Sequence, residues 1–144
     1  MSKVKSLYSY PVKVRFYEVD LSATVFFTTH MKWFDSVAFP EFSYEAGMDW
    51  KELMEQNIDL AIAGLNFNYH APIFLDDTVD IHIVDVEFGR TSMKLSGALY
   101  CRDTLIAEGY IAYVFVNYTT RESIEVPETL RKNIEEYKSK VSSN

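Results

Sequence analysis

Four long alternating stretches follow one another through the second half of the chain, and they constrain the fold more than any other feature. They cover residues 58–69, 78–88, 92–102 and 105–118. In the second, Val79, Ile81 and Ile83 oppose Asp80, His82 and Val84, the period-two pattern of a strand with one buried face. The last two meet at Asp103-Thr104, which predicts a hairpin. An earlier alternation over residues 10–19 sets Val12, Val14 and Phe16 against Lys13, Arg15 and Tyr17, and predicts a first strand. Aromatic residues make up 15% of the chain, which suits a strand-rich domain.

Only one long helix precedes this run. Met31, Phe34, Val37, Ala38 and Phe42 form an apolar stripe, so the spacing predicts a helix over 26–46. Thr28 or Thr29 can cap its start, and Gly47 is a natural stop. Pro40 lies inside it and removes a hydrogen bond, which predicts a kink. A short helix over 50–55 follows. Near the end, Pro127 suits the first position of a terminal helix lined by Leu130, Ile134, Tyr137 and Val141. One early helix followed by consecutive strands implies a single α+β domain over residues 1–144, its antiparallel sheet wrapped around the helix. Edge strands this long and apolar need covering, and pairing two protomers edge to edge supplies it. A homo-oligomer is therefore expected.

Composition narrows the function. With 21 acidic against 14 basic residues the net charge is −7, which argues against a nucleic-acid partner. No stretch approaches the roughly 20 apolar residues of a membrane helix, so no membrane partner is expected. A lone Cys101 within a strand and the lack of a signal peptide point to an inert thiol in a reducing cytoplasm. His30, His70 and His82 fall on separate elements without metal-ligand spacing, so no metal is expected. Motifs for phosphate cradles, dinucleotide folds and the G-x-S-x-G elbow are absent.

The segment RFYEVDLSATVFFTTHMKWFD, residues 15–35, carries the most chemistry. A strand ends at Asp20, a short loop follows, and the helix begins near Phe27. Free amides at a helix start favour developing negative charge. A carboxylate beside them suits acyl transfer: it attacks a carbonyl or activates a water while the amides hold the oxyanion. The competing reading is that Asp20 supports the loop or the helix start.

A strand, then V-D-x-x-x-x-V, then a helix with W-F-D resembles the hotdog-fold acyl-CoA thioesterases, in the 4-hydroxybenzoyl-CoA thioesterase-like branch. The resemblance spans roughly residues 10–137. It continues in LNFNYHAPIFLDDTVDI (65–81), FGRTSMKL (88–95) and AEGYIAYVFVN (107–117), and in Pro127 before the terminal helix. It implies a hotdog fold, dimers with joined sheets or tetramers, sites at the dimer interface, and no metal or organic cofactor. In this branch the acid matching Asp20 acts as nucleophile or general base, and the amide matching Phe27 polarises the carbonyl. Arg90, Thr91 and Ser92 match a stretch that lies along coenzyme A, and Asn68 and Tyr69 match positions near the neighbouring protomer's site. His30 is a candidate for substrate or water contact, or a surface histidine.

Departures from the pattern are specific. Ala23 stands where the family has Gly, and Phe26-Phe27, Thr29 and His30 replace Tyr-His, Asn and Tyr. One extra residue precedes Gly47, and Pro40 can absorb it as a kink or bulge. Phe26, Phe27, Trp33 and Phe34 are candidates for an apolar acyl pocket, with helix core as the other reading of Trp33 and Phe34. Arg90 and Lys94 are candidates to pair with coenzyme A phosphates. The expected function is hydrolysis of an acyl-CoA to acid and coenzyme A. The alternative is a hotdog protein that binds acyl-CoA or an acyl-carrier protein without cleavage. A dehydratase of the same fold ranks lower, because the helix offers poor inward-facing polar residues.

Overall fold

The computed structural model describes residues 4–143. Five strands form one antiparallel sheet: β1 (Tyr8–Lys13), β2 (Ile58–Tyr69), β3 (Thr78–Phe88), β4 (Ser92–Cys101) and β5 (Thr104–Asn117). Their spatial order is β1-β3-β4-β5-β2, so β1 and β2 are the edges. The central helix runs unbroken through α1 (Thr29–Trp33), a π-helical turn (Phe34–Ala38) and α2 (Phe39–Ala46); α3 (Trp50–Glu55) and α4 (Glu128–Ser142) complete the chain.

The helix stripe explains the packing. Phe34, Ala38 and Phe42 are fully buried against Val79, Ile81, Ile83, Leu95 and Ile111 from the concave face of the sheet. Gly97 on β4 makes the close approach available, because a methyl there would lie 2.1 Å from the Phe34 ring. A side chain at 97 would push the helix off the sheet.

Pro40 does what the extra residue requires. The Phe39 N–H donates to the Phe34 carbonyl, an i→i−5 bond, so one residue is inserted in the turn just before the proline. The missing Pro40 N–H then falls at the start of α2. The helix ends at Gly47 in the left-handed region, φ +78.

Several boundaries differ from the sequence expectation. The first strand stops at Lys13 and not at residue 19, because residues Phe16–Glu18 turn into a 3-10 helix that carries Glu18 inward and leaves Phe16 82% exposed. The central helix starts at Thr29 and not at residue 26; Thr28 occupies the cap position but its hydroxyl makes no capping bond. The hairpin turn is Arg102-Asp103, one residue earlier than expected, with Arg102 at φ +57 and Cys101 paired with Thr104. Cys101 closes β4; it is buried, and burial pushes its thiol pKa up. Pro127 caps the terminal helix from outside, and Glu128 begins it.

Gly97→Ala is expected to destabilise the fold by about 1–3 kcal/mol, the usual range for overpacking a filled core. Chemical denaturation of the two proteins checks it, and equal midpoints would show that the helix does not depend on this contact.

Candidate active site

Glu18 organises the region around Asp20. It is only 6% exposed. One carboxylate oxygen accepts from the Arg15 N–H at 2.8 Å, and the other from the Trp33 indole N–H at 2.7 Å. Its backbone carbonyl accepts from the Phe26 N–H at 3.1 Å. Bonds to a charged acceptor are strong enough to hold a carboxylate inside. Glu18 therefore fixes the end of β1, the residue before Phe27 and the second turn of the helix together.

The Asp20 loop is closed on itself. Val19 and Val25 form a bridge, the Asp20 N–H donates to the Thr24 carbonyl at 2.9 Å, and the Ala23 N–H donates to the Asp20 carbonyl at 2.9 Å. Ala23 adopts φ +62, the left-handed region that favours glycine, the residue that the family pattern has there. The Asp20 Oδ1 accepts from the Ser22 N–H at 2.8 Å and from the Thr24 hydroxyl at 3.1 Å; Oδ2 lies 3.2 Å from the same hydroxyl. The carboxylate thus carries its own loop, and Oδ2 keeps accepting capacity. It opens into a shallow hollow walled by Phe16, Leu21, Phe26 and Leu75.

Phe27 stands just before the cap. Its amide donates to no described residue, and its side chain is 72% exposed. Its carbonyl accepts from the Tyr69 hydroxyl at 2.5 Å. His30 is neither at the surface nor open to water. It is buried beside Trp33 and Tyr69, the Tyr69 ring edge-on at 4.9 Å. Burial pushes its imidazole pKa below the ordinary histidine value, against the opposing pull of the nearby Phe27 and Phe26 carbonyls. Neither carbonyl satisfies Nδ1, which is buried without a hydrogen-bond partner among the described residues.

The remaining candidates divide by position. Tyr69 joins Phe27 within the same protomer. Asn68, its neighbour on the strand, points to the other face of the sheet and donates to Asn66 and Glu108, where His70 also pairs with Glu108. Trp33 and Phe34 are core, not pocket wall. Arg90 and Thr91 form the turn before β4, which Ser92 begins, and Arg90 pairs in solvent with Glu125 at 3.6 Å. That turn lies at the far end of β3 from the Asp20 loop, about 33 Å away at roughly 3.3 Å per residue. One protomer does not bring the two together.

The helix also offers an inward polar residue that its sequence did not advertise. Asp35, in the π-helical turn, accepts from the Tyr113 hydroxyl at 2.5 Å. Burial first, then this bond, raises the Tyr113 phenol pKa far above its ordinary value. The pair borders an apolar hollow of about 380 Å³ with Phe39, Trp50, Leu60 and Ile62. Only the W-F-D motif hinted at Asp35; its partner is 78 residues away.

A long helix wrapped by an antiparallel sheet in this strand order is the hotdog fold. Residues 14–134 match the Thioesterase-like superfamily, and the chain belongs to it. It is similar to a gentisyl-coenzyme A thioesterase, with a TM-score of 0.78 and 25% identity over 88% of this chain and 99% of the other. A DHNA-CoA thioesterase from Staphylococcus aureus shares the fold, with a TM-score of 0.80 and 19% identity over 94% of this chain and 90% of the other. In sequence, a protein of Aquifex aeolicus named "Putative esterase" is 24% identical over 85% of this chain and 96% of its own length. Together these support thioester hydrolysis as the general chemistry. No helix among the described residues is long and apolar enough to cross a membrane.

Proposed function

We propose that the protein hydrolyses an acyl-CoA thioester to the free acid and coenzyme A. The observation that carries this reading is the pairing of a loop-held Asp20 carboxylate with the unaccepted Phe27 amide at the start of the central helix. Acting as a base, Asp20 takes a proton from water as the oxygen adds to the thioester carbon. The carbonyl electron pair moves onto its oxygen, which the Phe27 amide receives. Collapse re-forms the carbonyl and expels coenzyme A thiolate, which takes the proton from Asp20. Acting as a nucleophile, Asp20 adds to the thioester carbon and expels coenzyme A thiolate to leave a mixed anhydride; water then opens it to the free acid and the Asp20 carboxylate, its second proton going to the thiolate. The exposed Phe26 and Phe27 side chains give the site an apolar rim suited to the acyl group.

The reading includes a homodimer, or a tetramer built from it. Edge strand β2 is twelve residues long and leaves Ile62 57% and Leu65 54% exposed. Joining two β2 edges would cover both residues and remove the open edge. A second protomer is also what would bring Arg90, Thr91 and Ser92 to the coenzyme A of a site they cannot reach alone. One observation favours the second reading, a binder of acyl-CoA or of an acyl-carrier protein without turnover. Both Asp20 oxygens already serve their own loop.

Two measurements decide. Asp20→Asn keeps an oxygen for Thr24 and the Ser22 amide, so it is expected to fold and bind acyl-CoA but to lose about 10²-fold or more in thiol release. A wild type and variant that bind equally and release nothing would select the binder. Ile62→Lys places a charge at the open edge without disturbing the core, and is expected to shift the protein to monomer in sedimentation velocity. An unchanged assembly would place the interface elsewhere.

A further inference from the structure

Tyr69 makes a contact that no regular element requires. It is the last residue of β2, and its hydroxyl crosses to the helix start to donate to the Phe27 carbonyl. Phe27 lies outside the helical ladder at that point. The first rung is the Lys32 N–H to the Thr28 carbonyl, at 3.3 Å. Ahead of that rung the Thr29 N–H closes a turn onto the Phe26 carbonyl at 3.0 Å, which brackets the Phe27–Thr28 peptide without bonding either of its polar groups; the phenol takes its carbonyl. A trans peptide is planar, and pinning its carbonyl fixes the opposite direction of the Thr28 N–H. Neither the Phe27 nor the Thr28 amide donates to a described residue.

The phenol is itself held. The His30 ring meets it edge-on, 4.9 Å between centroids and 87° between planes, and His30 is only 4% exposed. A tyrosine phenol is protonated at neutral pH and so stays a donor here. An accepted hydrogen bond polarises the peptide whose carbonyl takes it, which strengthens the N–H on the other side.

We propose that Tyr69 is a positioning residue: it orients the Phe27–Thr28 peptide so that the Phe27 and Thr28 amides together receive the oxyanion formed on the thioester carbonyl. This rests on the thioesterase reading above. It assigns Tyr69 to its own protomer's site and to the backbone, not to substrate contact in the neighbouring protomer. It also ties the geometry of the oxyanion amides to the strand through which two copies would join.

The test is Tyr69→Phe, which keeps the ring against His30 and removes only the hydroxyl. On the acyl-CoA that the wild type turns over best, kcat is expected to fall about 10- to 100-fold with KM within about twofold. Two coenzyme A probes separate positioning from folding. A trifluoromethyl ketone analogue, which is bound as a tetrahedral oxyanion, is expected to weaken by the same factor as kcat. A thioether analogue lacking a carbonyl is expected to bind unchanged. Equal loss of both probes would show a merely structural role and overturn the proposal, as would a variant as fast as wild type. Wild type that releases thiol from no acyl-CoA would overturn the thioesterase reading and this role with it. Should the variant fold poorly, the wild type alone still decides. The Phe27 and Thr28 amide resonances move downfield on adding the trifluoromethyl ketone, and a Thr28 signal that stays put contradicts the assignment.

Discussion

A buried carboxylate ties together the end of β1, the Asp20 loop and the start of the central helix. Glu18 sits between the Arg15 amide and the Trp33 indole, and both of its oxygens are spoken for. A charge in that position is tolerable only because each bond it accepts is charge-assisted. Truncating the side chain would leave the Trp33 N–H buried without an acceptor, a cost of about 1–3 kcal/mol. More follows from the geometry than from the energy. Turning Glu18 inward ends β1, starts the Asp20 loop on the helix side of the sheet, and presents the Glu18 carbonyl to Phe26. Asp20 and Phe26, the residue before Phe27, line one hollow on this side of the sheet.

The rest of the fold keeps that arrangement rigid. Gly97 lets Phe34 touch the sheet, and the π-helical turn absorbs the residue that Pro40 could not accommodate in a regular ladder. The Asp35–Tyr113 pair then ties this turn to β5. At the other end of the helix, Gly47 releases the chain into α3, which leads into the edge strand. Helix start, loop and edge strand are thus coupled through packed side chains and a single phenol.

Strands were legible where one face is buried and nothing local intrudes. β2 and β3 match their expected limits, because Val79, Ile81 and Ile83 alternate against a helix that covers them evenly. The end of β1 was not legible. Alternation continues on paper through Phe16, but the partner that pulls Glu18 inward is fifteen residues further on. The helix start was misplaced by three residues because Phe26 and Phe27 fit a helical stripe while Tyr69 and Glu18, distant in sequence, hold them outside it. Pro40 and the extra residue announced a distortion, though not that it would be a π turn. Around the helix start, the loop-to-helix pattern placed a carboxylate at Asp20 close to free amides, and the resemblance singled out Phe27 among them. The burial of His30, the intramolecular reach of Tyr69 and the Asp35–Tyr113 pair could not, since each depends on a residue from another element.

What the chain's own residues do can be stated compactly. Thr24 and Ser22 hold the Asp20 carboxylate, Glu18 anchors Arg15, Phe26 and Trp33 on either side of that loop, and the Phe27 amide donates to no described residue. The most direct test is a crystal structure with a coenzyme A analogue in which a methylene separates sulfur from an intact carbonyl, so that it cannot be hydrolysed. The expected result is a carbonyl oxygen about 3 Å from the Phe27 nitrogen, Asp20 beside the carbonyl carbon, and the nucleotide running toward Arg90 of a second protomer. An analogue bound with its carbonyl at the Asp35–Tyr113 hollow, and Asp20 out of reach, would contradict it.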